Sequence, residues 1–124
     1  MPILQAPAEP THDIGAARFT SLATPSRGAI DTAVWRVEID PAAPAAPHSL
    51  TREEVFVVLE GVASVAMDGR VTVAHAGDVI LVPSGIEFAL SNAGDDPLRL
   101  LCCMPVGGQA RMDDGTVFTP PWAE

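Results

Sequence analysis

The sequence predicts an all-β domain, a sandwich or barrel of short antiparallel strands. Three observations predict it. Pro, Gly, Asn or Asp breaks the chain every eight to twelve residues. Short alternating or wholly apolar runs lie between the breaks, which is the pattern of half-buried and fully buried strands. No window of 12 or more residues carries a helical period bounded by caps. At 124 residues and 48% hydrophobic content, the chain supports one packed core but not two.

The elements follow in order. Residues 1–30 are weakly patterned and read as an N-terminal arm, with "ARFTSL" (17–22) as an edge strand. "TAVWRVEI" (32–39) is the first clear strand. "DPAAPAAP" (40–47) carries three prolines and cannot donate a full ladder of hydrogen bonds, so it is an extended loop leading into His48. "EVFVVLE" (54–60), "VASVAM" (62–67), "VTVAH" (71–75), "DVILVP" (78–83), "FALSN" (88–92) and "LRLLCCM" (98–104) are the remaining strands. Asp-Gly within "MDGR" (67–70) suits a type I′ hairpin, in which both central residues take positive φ. "NAGDDP" (92–97) reads as a longer hairpin loop, Gly61 as the close of a hairpin, and Asp113, Asp114 and Gly115 as a turn. Residues 107–124 read as an extended tail ending in "FTPPWAE", with Trp122 packing onto the body.

Composition excludes several partners. The net charge is −9, and all seven positive residues are Arg. Such a surface repels nucleic acid and anionic lipid. Runs such as "VFVVL" (55–59) are far too short to cross a bilayer as a helix. The start "MPILQAPAEPTHD" lacks a basic n-region and an apolar h-region, so no signal peptide is expected and the default location is cytoplasmic. Cys102 and Cys103 are adjacent and there is no other cysteine, so no disulfide framework is expected. His12 and His75 read as solvated surface residues.

Two segments carry a resemblance. His48, Glu54 and Gly61 fall at the spacing H-x-H, three or four residues, E, six residues, G. Gly77, Pro83, Gly85 and Asn92 fall at the spacing G, five residues, P-x-G, two residues, H, three residues, N. Together and in this order the two motifs resemble those of the cupin superfamily. The resemblance covers roughly residues 32–106, and the chain is similar to small single-domain bacterial cupins of the conserved-barrel, cupin 2 type. It implies a single cupin domain over 1–124, a double-stranded β-helix or jelly-roll barrel with core 32–106.

The resemblance also implies a metal set of two histidines and a glutamate from the first motif and a histidine from the second. Here the second histidine position is Leu50 and the last is Phe88. Zinc and iron sites use at least three protein ligands, and hydrocarbon replaces half of this set. No metal is therefore expected. If a divalent ion (Fe, Zn, Ni or Mn) does bind, His48 and Glu54 would hold it, joined by Cys102 if strand alternation turns that thiol inward.

Alternation places Glu54 rather than Glu53 inward, followed by Phe56 and Val58. The same rule turns Leu98, Leu100, Cys102 and Met104 inward. The expected pocket is Trp35, Leu50, Phe56, Phe88, Cys102 and Met104, carrying His48 and Glu54 as an acid–base pair. This is the general form of a small-molecule site. A carboxyl in such surroundings should bind its proton tightly unless His48 pairs with it. Three functions follow: proton-transfer chemistry (isomerisation, dehydration or cyclisation) on a small organic molecule without tightly bound metal; ligand binding or sensing without turnover; or dioxygenase-like metal chemistry with a reduced ligand set. The structural alternative is that His48 and Glu54 only hydrogen-bond each other and hold two strands. Edge strands in so small a sandwich need cover, so a homodimer is expected.

Overall fold

All seven clear runs form strands whose ends lie within one residue of those expected. The computed structural model describes residues 2–124. Its strands are β1 (His12–Asp13), β2 (Ala17–Ala23), β3 (Thr32–Ile39), β4 (His48–Leu50), β5 (Glu54–Glu60), β6 (Val62–Met67), β7 (Arg70–His75), β8 (Val79–Val82), β9 (Phe88–Asn92), β10 (Leu98–Pro105), β11 (Ala110–Met112) and β12 (Val117–Phe118). One-turn 3-10 helices at Pro25–Arg27 and Pro121–Ala123 complete the described chain.

The strands build two six-stranded antiparallel sheets, ordered β1-β2-β3-β10-β5-β8 and β12-β11-β4-β9-β6-β7. The core lies between them. Its most enclosed large side chains include Leu98, Leu100, Met104, Val58 and Val82. From β3 to β11 most connections carry the chain from one sheet to the other, which is the jelly-roll arrangement.

Two loop expectations are corrected. Gly61 does not close a hairpin, because β5 and β6 belong to different sheets. It is a corner at φ 87°, where an added Cβ would come within 2.9 Å of the Pro97 carbonyl oxygen. "NAGDDP" likewise joins β9 to β10 across the sandwich. Turn residues alone do not tell a return within one sheet from a step between two. The Asp-Gly hairpin does form between β6 and β7, with φ 53° at Asp68 and 72° at Gly69, as type I′ requires.

The ends also differ from expectation. β2 is not an edge strand, because β1 pairs with its outer side. Residues 110–118 form a short hairpin, β11–β12, that extends the second sheet beside β4, so the tail is not extended throughout. Trp122 stacks on Phe19 at 3.6 Å with planes 8° apart. His12 is half-buried rather than solvated and meets the Trp122 ring edge-on at 6.5 Å. His75 is on the surface, with its side chain 69% exposed.

Candidate functional site

The two motif segments meet across the barrel. In the first sheet, Trp35, Cys102, Phe56 and Ile80 occupy one row across β3, β10, β5 and β8. Glu54 opens β5 and stands opposite Val82. In the second sheet, His48 of β4 stands opposite Phe88 of β9, which in turn pairs with Met67 of β6. The Phe56 and Phe88 rings meet at 5.9 Å edge to face, and the His48 ring lies 4.6 Å from Phe88. That contact links the two sheets.

Loop geometry holds these strands in place. The Gly85 N–H donates to the Leu50 carbonyl at 2.8 Å, and the Ser84 hydroxyl donates to the Thr51 carbonyl at 2.8 Å. The second motif's turn is thereby fastened to the strand of the first. Asn92 donates to the carbonyls of Ile39 and Asp96 and accepts from the Gly94 N–H, which locks the crossing loop.

Leu50, Trp35, Phe56, Phe88, Cys102 and Met104 are all buried in the single hydrophobic core. Glu54 is buried beside them at 5% exposure, while His48 is half-buried at the rim. The Glu54 carboxyl has no hydrogen-bond partner among the described residues, and burial pushes it up to about 8. Near neutral pH it therefore holds its proton. Burial also drives the Cys102 thiol well above its ordinary range, and Glu54 adds to that effect.

His48 and Glu54 form no hydrogen bond or ion pair among the described residues. His48 Nδ1 donates to the Ala46 carbonyl at 2.9 Å. A carbonyl only accepts, so in the neutral ring the proton sits on Nδ1 and Nε2 keeps its lone pair. At the same rim Glu87 is held above the usual carboxylate range, chiefly by a hydrogen bond with Asp113.

The donor set does not fit a metal centre of three or more protein ligands. Among the described residues no three His, Cys, Asp or Glu side chains come together. Leu50 and Phe88 put buried hydrocarbon where the family pattern puts histidines.

A cleft of about 720 Å3, which the motif spacing did not reveal, opens between the edge strands β7 and β8. Val65, Met67, Thr72, Ala74 and Ile80 line it. Ile80 pairs with Phe56 and Met67 pairs with Phe88, so it flanks the aromatic contact. A sequence signal existed in "RVTVAH". Ala74 is the buried residue of β7, so its alternation turns Arg70 and Thr72 inward and Val71 and Val73 outward.

Comparison with known proteins agrees with the motifs. The family model for the cupin domain matches residues 35–104. Over 53 residues the chain is 34% identical to protein MJ1618 of Methanocaldococcus jannaschii, a match spanning 43% of this chain and 42% of that protein. The fold is similar to that of the polyketide cyclase RemF from Streptomyces resistomycificus, with TM-score 0.72 and 22% identity over 89% of this chain and 80% of that one. It is also similar to KdgF from Halomonas sp., with TM-score 0.65 and 20% identity over 83% and 87% of the two chains. The chain belongs to the cupin domain family.

Proposed function

We propose that this cupin binds a small, largely apolar organic molecule inside the barrel and moves a proton on it, in an isomerisation, dehydration or cyclisation, with no tightly bound metal. One observation carries this reading: Glu54 is a carboxylic acid only 5% exposed, with no protein hydrogen-bond partner among the described residues. Such a group is a general acid poised near neutral pH. Trp35, Leu50, Phe56, Phe88, Cys102 and Met104 form the walls. His48, oriented by Ala46, offers Nε2 as the complementary base. The likeness to RemF, a polyketide cyclase, supports the substrate class. The protein works in the cytoplasm as a homodimer, without nucleic acid or membrane partners. No described helix is long and apolar enough to cross a membrane.

The test is a panel of small aromatic and β-diketone compounds, followed by thermal shift and by product detection. Compounds that raise the unfolding temperature should be turned over by the wild type, with Glu54→Gln keeping the shift and losing the product. Unchanged turnover in Glu54→Gln would remove Glu54 from the chemistry. Binding without product across the panel would leave a binding module.

A further inference from the structure

Strand β7 carries a charge on the side of its sheet where a sandwich ordinarily keeps hydrocarbon. Register fixes that side. Arg70, Thr72 and Ala74 stand opposite Met67, Val65 and Ala63. Val65 and Ala63 are core residues, and Ala74 is buried with them. Arg70 and Thr72 therefore share the inner face of the second sheet, yet both are exposed. The cause is the cleft of about 720 Å3 between β7 and β8, the free edges of the two sheets, which leaves this part of the inner face uncovered. The other arginines on strands, Arg18, Arg36, Arg99 and Arg111, each follow a buried residue and face outward.

Neither the Arg70 nor the Thr72 side chain makes a hydrogen bond or ion pair among the described residues. An inward charge can serve simply to keep a free edge from pairing. A guard of that kind needs no cavity in front of it. Arg70 instead stands at one end of a cleft floored by Val65, Met67 and Ile80, of a size typical for small-molecule sites. At the other end Asp78 accepts from the His75 N–H at 2.8 Å. From Arg70 to His75 the strand rises about 16 Å, twice the Debye length of about 8 Å at physiological salt. Asp78 therefore does not neutralise Arg70. Asp68, on the turn, lies nearer and also lines the cleft, but forms no ion pair with it.

We propose that this cleft binds a small monocarboxylate with a flat apolar body, its carboxylate held by Arg70 and Thr72 and its body laid on Val65, Met67 and Ile80. A guanidinium offers a carboxylate two parallel N–H donors, and the Thr72 hydroxyl, two residues along the same face, offers a third. One unpaired cation matches one negative charge. A dianion would face Asp68 and a net charge of −9 with half its own charge unmatched. The site goes beyond the proton-transfer reading, because binding here needs neither Glu54 nor turnover.

The test is calorimetric titration with 2-naphthoate, 2-naphthamide and 2-naphthyl phosphate, for the wild type, Arg70→Gln, Arg70→Met, Asp68→Asn and Arg111→Gln. The circular dichroism of each variant is compared with that of the wild type. Wild type should bind 2-naphthoate about tenfold or more tightly than the amide, which keeps the ring and lacks the charge. Arg70→Gln should erase that preference. Arg70→Met, which keeps an apolar stem, should do the same and decides the matter should Arg70→Gln misfold. Asp68→Asn should tighten 2-naphthoate severalfold by removing a like charge. Arg111→Gln, outward on β11, should bind as the wild type does. No binding of 2-naphthoate, equal binding of acid and amide, or a preference that survives the loss of Arg70 would overturn the site. Tighter binding of the phosphate would overturn the monocarboxylate assignment. Each of these failures leaves the proton-transfer reading standing, since that reading rests on turnover by Glu54.

Discussion

Strands β5 and β10 separate two apolar surfaces that treat charge differently. On the inner face, Val58, Leu100 and Cys102 are at most 1% exposed, because the second sheet lies over them. The carboxyl among them, Glu54, keeps its proton. On the outer face, Val57, Leu101 and Cys103 are only half-buried. The nearby carboxylate Glu38 is held below its ordinary range by hydrogen bonds from Arg99 and Arg18. The same sheet thus favours a neutral acid on its inner face and an ionised one on its outer face. Closure by a second layer and the presence of an arginine partner make the difference, since the apolar residue types are alike.

The largest contrast lies in packing. Leu100→Ala should lower unfolding free energy by about 2–5 kcal/mol, through lost burial and a residual cavity. Leu101→Ala, one residue on but outward, should change the stability of an isolated chain by less than about 1 kcal/mol. Denaturant melts of both variants would check this, and equal losses would show that the outer face is as enclosed as the core.

A smaller contrast concerns pH. The Glu54 carboxyl ionises near 4.5 when unfolded and near 8 when folded. Between these values the folded state holds the extra proton, so its contribution is fully present below pH 4.5 and is lost as pH rises towards 8. The slope should approach 1.4 kcal/mol per pH unit, at about the full value for one proton. Glu54→Gln should flatten it. A wild-type profile without that slope would place the carboxylate in a more polar setting.

The finest contrast is between neighbouring thiols. Cys103 should react with a thiol reagent in the folded protein, whereas Cys102 should react only on unfolding. Mass spectrometry after brief labelling would tell them apart, and equal labelling would mean that β10 opens locally.

Much of this arrangement was legible in the sequence. Alternation alone turned Glu54, Phe56, Cys102 and Met104 inward, because a strand has only two faces. The type I′ turn was legible because Asp68 and Gly69 tolerate positive φ. The three-residue strand β4 and the β11–β12 hairpin were not, because so few residues show no period and their pairing is set by distant partners. Local sequence also gave no sign that His48 would turn to Ala46 instead of Glu54. That choice depends on the path of a proline-rich loop. The cleft beside Ile80 depends on two edge strands that meet only in space.

The contact between Trp122 and Phe19 bears on how the chain is made. Ser21 Oγ donates to the Trp122 carbonyl across 101 positions of sequence, and the Ser26 N–H donates to the Glu124 carbonyl. At about 5–20 residues per second of synthesis, β2 must wait several seconds for the segment that covers it. Until then the Phe19 ring has no stacking partner, and a turn made 101 positions after Ser21 is the one that fastens the first long strand.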